Sequence, residues 1–123
     1  MKTALLKGES IVKEGVANRQ AGFESVGGHL YLTSKRLIFE SHDFNFQTGI
    51  TIIDINDIAN VGSSFPNALK IETTEKARVY FICRKRKEWV PEIENVKEKI
   101  IGNSNGKWNK ILREEEFSPL KEG

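Results

Sequence analysis

The residues best suited to chemistry in this 123-residue chain are cationic. Arg84-Lys85-Arg86-Lys87 puts four positive side chains in a row, and Lys35-Arg36 adds a pair within GGHLYLTSKRLIFES at 27–41. Guanidinium and ammonium groups in such numbers can hold carboxylates, phosphates or an anionic surface. Residue types for covalent or acid–base work are sparse. His29 and His42 are the only histidines and Cys83 the only cysteine. His29 falls in a strand pattern, and His42-Asp43 reads as turn chemistry. Arg84 beside Cys83 could lower the thiol pKa, but a lone thiol with no assigned base is a poor nucleophile and suits core packing. There is no Walker loop, G-x-G-x-x-G, H-E-x-x-H or Cys-x-x-Cys. No catalytic residue, cofactor or metal site is expected, and the chain reads as non-enzymatic.

The charge is placed unevenly. The chain carries a net +2, but residues 1–60 hold 6 Lys/Arg against 7 Asp/Glu, residues 61–102 hold 9 against 6, and residues 103–123 hold 4 of each. The excess is therefore the run at 84–87. One knot of cations, with no basic stripe beside stacked aromatics, disfavours nucleic acid. With a single cysteine no intrachain disulfide can form, and MKTALLKGESIVKEG has too short an apolar stretch before Lys7 for a secretory signal. A cytoplasmic location follows, or a peripheral one on the membrane.

These side chains must be positioned by short strands. ESIVKEGVANR predicts a long first strand with a bend or bulge at Gly15, and QAGFESVGG a glycine-rich loop. HLYLT and RLIFES form a hairpin, HDFNFQTG a second loop, and ITIID a buried strand. INDIAN is a single turn, VGSS a short strand, and ALKIETT and ARVYFIC pair through Glu75-Lys76. In KEWVPEIENVKEKIIG the period changes: Trp89, Ile93, Val96 and Ile100 share one helical face, with Pro91 expected in the first turn and Gly102 at the C-terminal cap. The fold class is thus mainly β. The expectation is a seven-stranded antiparallel barrel of two packed sheets, capped by one amphipathic C-terminal helix. Residues 7–102 make the domain, and residues 103–123 a linker and short helical tail. In the tail Trp108, Ile111, Leu112 and Phe117 could pack on the barrel, or on a protein partner or second copy of the chain.

Strand parity predicts that the loops after odd strands share one end. That would gather Arg19, Phe23 and Phe44, with His42, Phe46 and Phe65, beside Arg84, Lys85, Arg86 and Lys87. Cations next to exposed rings would suit an anionic membrane face. Glu24 and Asp43 dilute that potential, and basic residues are not interleaved as a specific phosphoinositide pocket requires.

Several stretches carry a family resemblance: GE at 8–9, GGHLYLTSKRLIFESHDFN at 27–45, DIANV at 57–61, NALKI at 67–71, VYFI at 79–82 and RKEWV at 86–90. Residues 8–100 resemble the GRAM family, a branch of the pleckstrin-homology-like superfamily. The resemblance implies a seven-stranded barrel with a C-terminal helix, no enzyme activity, and binding of a protein partner or a membrane lipid. It also implies that Lys35-Arg36 belongs to a recurring hairpin tip and is structural, the Arg36 stem covering apolar surface.

Overall fold

A computed structural model describes residues 1–43, 49–64 and 67–117, with 103–117 described by backbone only. Seven strands precede one helix: β1 (Ile11–Ala21), β2 (Glu24–Thr33), β3 (Arg36–Ser41), β4 (Ile50–Asp54), a 3-10 turn at Ile55–Asp57, β5 (Ile58–Ser64), β6 (Ala68–Thr73), β7 (Arg78–Ile82) and α1 (Arg86–Phe117). All ladders are antiparallel and belong to one sheet in the order β4-β3-β2-β1-β7-β6-β5. The expected division into two sheets is absent from the hydrogen bonding, because β7 joins β1 directly. The expected loop at 20–28 is also mostly strand. β1 and β2 pair out to Ala21↔Glu24, leaving a two-residue turn in which Gly22 takes φ +64°, a value suited to glycine. The register shift in β1 falls between Ile11 and Lys13 and not at Gly15.

The sheet curls over a single core. β3 and β7 stand three ladder steps apart, about 14 Å in a flat sheet. The rings of Phe39 and Phe81 nevertheless lie 5.6 Å apart, centroid to centroid. Alternating residues of β2 and β3 (Leu30, Leu32, Leu37, Phe39) meet Leu69 and Ile71 of β6, with Ile53, Ile55 and Ile58 completing the layer. Gly28 permits the tight β2–β3 approach. A Cβ there would stand 2.3 Å from the Glu40 carbonyl oxygen and 2.7 Å from the Phe39 ring.

The helix closes the core with Trp89, Ile93 and Val96, while Ile100 packs against its margin, as the spacing predicts. Lys97 reaches the carbonyls of Ile58 and Ala59 on the edge strand β5 and ties the helix to the sheet. Two helix expectations are corrected. Pro91 lies six residues into α1, beyond the first turn, so the hydrogen bond it cannot donate is lost inside the helix. Burial of Trp89 and Ile93 on either side offsets that loss. Nor does Gly102 end the helix: its φ is not in the left-handed range a glycine cap adopts, and the backbone stays helical to Phe117 through the segment read as a linker.

The pair Lys35-Arg36 is a clamp on the N-terminal segment. Arg36 Nε and Nη2 donate to the two oxygens of Glu9 at 2.8 and 2.7 Å, and Nη2 also donates to the Ala4 carbonyl at 2.9 Å. Thr33 Oγ1 and the Leu6 amide add donors to the same carboxylate. Lys35 Nζ donates to the Lys7 carbonyl at 2.9 Å. The Glu9 side chain is fully buried, so only this set of donors makes its charge tolerable there. The arginine hydrogen bond, reinforced by the backbone and Thr33 donors, outweighs burial and holds the Glu9 pKa at about 2.

Candidate functional site

The strand lengths of β1 and β7 create the site. β1 has 11 residues and β7 has 5, and they pair only at Asn18↔Ile82, Arg19↔Phe81 and Gln20↔Tyr80. Past Ile82 the chain turns away into α1, while β1 continues back to Ile11. Among the described residues no backbone hydrogen bond covers that edge of β1 from Ile11 to Ala17. An open trench of about 830 Å³ lies against this edge, within the range of ligand sites. One wall is Lys13–Asn18 of β1. The other is Ile82–Arg86 with Trp89, and Asn67 contributes at one end.

The trench is basic. Lys13, Arg84, Lys85 and Arg86 line it, opposed within the lining by Glu14. Lys13 is held by Glu88 at 3.4 Å and lies 5.4 Å from the centroid of the buried Trp89 ring, a cation–π contact. The Trp89 ring packs over Gly15, its edge 3.6 Å from where a Cβ would be, an ordinary contact distance. Arg86 Nε is buried and has no hydrogen-bond partner among the described residues. A buried guanidinium N–H without an acceptor costs free energy unless water or a ligand in the trench supplies one.

The structure divides the residues expected to share one end. Arg84, Lys85 and Arg86 line the trench and Lys87 is exposed beside them. Phe23 is fully exposed at the β1–β2 turn, beyond the other end of the β1–β7 pairing. The parity argument fails because it assumes every consecutive strand pair is a hairpin. β4 and β5 are joined by a 3-10 turn and occupy opposite edges of the sheet, so β7 runs antiparallel to β1 and carries the cations back along it. Arg19 sits between, opposite Phe81 and Val26, and its Nε is also buried without a partner among the described residues. Phe44, Phe46 and Phe65 lie outside the described residues, as do the side chains of Trp108, Ile111, Leu112 and Phe117. Sequence reading missed the trench walls Lys13 and Trp89. The discrepancy between a long first strand and a short last one was the available signal.

The remaining reactive groups are occupied structurally. Burial pushes the Cys83 thiol pKa up, outweighing the pull of Arg86 and Lys13, opposite to the lowering expected from its basic neighbour. His29 Nε2 lies 3.2 Å from Glu14 Oε1 and its ring packs on Tyr31 at 4.7 Å. The His42 amide donates to the Gly27 carbonyl, which places it in the turn after β3. Among the described residues, no three His, Cys, Asp or Glu side chains cluster to hold a metal ion, and no helix is long and apolar enough to cross a membrane.

A curled seven-stranded antiparallel sheet closed by a C-terminal helix defines a pleckstrin-homology-like module. Solved structures share this fold. The Vps36 N-terminal PH domain superposes with a TM-score of 0.65 at 20% identity, covering 80% of this chain and 86% of its own. The N-terminal PH domain of human ARAP2 gives 0.61 at 14%, covering 80% and 87%. The C-terminal domain of an unknown protein from Leishmania infantum gives 0.66 at 18%, covering 74% and 86%. No curated protein matches the sequence. The chain belongs to the GRAM domain family, whose model matches residues 1–98.

Proposed function

We propose that this GRAM domain is a non-enzymatic binding module that engages an anionic segment of a protein partner at the basic trench. The observation that carries the reading is the joining of Lys13, Arg84, Lys85 and Arg86 around a ligand-sized opening, with Arg86 Nε buried and without an acceptor among the described residues. A membrane surface is the weaker alternative. It would need cations and an exposed ring on one face, and among the described residues the fully exposed ring, Phe23, lies at the opposite end of the β1–β7 pairing from the cations. The backbone of α1 continues to Phe117, past Val96 and Ile100, and the segment bearing Trp108, Ile111, Leu112 and Phe117 is a second proposed partner contact, including self-association.

The test uses the full chain and a variant with residues 84–87 changed to Gln. Binding of a fluorescein-labelled octapeptide of alternating Glu and Val is followed by anisotropy at low and physiological salt. Co-sedimentation with phosphatidylserine-containing and neutral vesicles is run in parallel. Salt-sensitive peptide binding that is lost in the variant supports the reading. Vesicle binding that needs the same cations, with no peptide binding, transfers the site to the membrane. Self-association lost on deleting 103–123, with neither peptide nor vesicle bound, transfers the function to the tail.

A further inference from the structure

We propose that the partner segment binds as an added β-strand, extending the sheet along the uncovered edge of β1 from Lys13 to Ala17. This rests on the reading that the trench takes an anionic protein segment, and it specifies the ligand as an extended chain carrying carboxylates on one side. Three features of the trench converge on that mode. The first is the backbone. β2 covers one edge of β1 along its whole length, and β7 covers the other only at residues 18–20, so the strand continues with hydrogen-bonding groups turned toward the opening. Such an edge pairs readily with another extended chain.

The second feature is reach. Five residues of β1 span about 17 Å, enough to pair with a segment of similar length. The trench runs beside those same residues, Lys13 to Asn18. The third feature is charge. An added strand would lie between β1 and the Arg84–Arg86 wall, so carboxylates on that wall's side would meet Arg84, Lys85 and the open Nε of Arg86. A strand of β1's own composition would not be selected, because residues 11–21 carry one carboxylate, Glu14, against the cations Lys13 and Arg19. An exposed edge ordinarily invites uncontrolled pairing, and a cationic wall restricts it to acidic strands.

The experiment separates strand addition from simple charge attraction. The alternating Glu/Val octapeptide is prepared in two N-methylated forms, one methylated at every odd amide and the other at every even amide. Both keep the same charge. A strand added to β1 turns only one of these amide sets toward the protein. Methylation of that set is expected to weaken binding at least tenfold, the equivalent of about one lost hydrogen bond. Methylation of the other set leaves affinity within a factor of about two on the same scale. Hydrogen exchange of the full chain should also show new amide protection at alternate residues within 13–17. Equal affinities for the two methylated peptides, or equal losses, overturn strand addition. If binding still requires the cations at 84–87, the anionic-segment reading survives that result. No binding of the parent peptide at any salt overturns both.

Discussion

Replacing Arg36 with Met tests whether the Lys35-Arg36 pair is an electrostatic clamp. In the folded chain the Glu9 pKa is about 2, against an ordinary value of 4.5. A depressed carboxylate pKa adds stability above the unfolded pKa and loses it as pH falls through the folded one. The linkage relation gives about 3.4 kcal/mol at pH 7, about 1.4 at pH 3 and about 0.4 at pH 2. Removing Arg36 leaves the fully buried Glu9 side chain with the Thr33 and Leu6 donors alone, and burial then favours its protonated form. Arg36→Met should therefore destabilise by about 3 kcal/mol at pH 7, in line with breaking a buried pair by deleting one partner. The gap to the parent protein should narrow by more than half by pH 3. Urea unfolding of the parent, Arg36→Met and Arg36→Met/Glu9→Gln proteins at both pH values measures this. The double variant should recover part of the loss at pH 7, because it removes the stranded charge. A destabilisation that is the same at pH 7 and pH 3 would refute the electrostatic account and reduce Arg36 to a packing side chain.

Two further substitutions read other parts of the fold. Gly28→Ala should unfold the chain or cost several kcal/mol, since the new methyl meets backbone of β3 at 2.3 Å, whereas Gly62→Ala, with no described atom within 4 Å of the new methyl, should stay within about 0.5 kcal/mol by urea denaturation. Cys83 should react with a thiol reagent far more slowly in the native chain than in urea, because it is buried with a raised pKa; fast native labelling would contradict its place in the core.

Much of this architecture is legible in the residues themselves because it depends on local periodicity. Alternation in HLYLT and RLIFES places Leu30, Leu32, Leu37 and Phe39 in the core, and the 4-3-4 spacing of Trp89, Ile93, Val96 and Ile100 places one helical face against it. The GRAM resemblance, carried by stretches from 8 to 90, adds the expectation of seven strands followed by one helix and is matched by the family model. Two local features misled. QAGFESVGG looks like a loop by glycine content, yet strand pairing extends to a two-residue turn. Pro91 and Gly102 look like helix boundaries, yet packing and a continuous backbone override them.

What the sequence by itself determined is the seven strands and the helix after them, the buried faces of β2, β3 and α1, and the presence of one concentrated cationic run. β4, read from ITIID as a buried strand, is instead a sheet edge with Ile52 exposed, because burial there depends on which strand lies beside it. What only the tertiary structure decided is which distant groups meet. Glu9 finds Arg36 across 27 positions, and Lys13 finds Trp89, because strand ladders bring them together. The direction of β7 relative to β1, which parity counting misassigned, separates Phe23 from the cations and opens β1's edge beside them. The physical reason is that periodicity reports which way a side chain faces, while pairing between strands remote in sequence is set by closure of the whole core around Phe39 and Phe81.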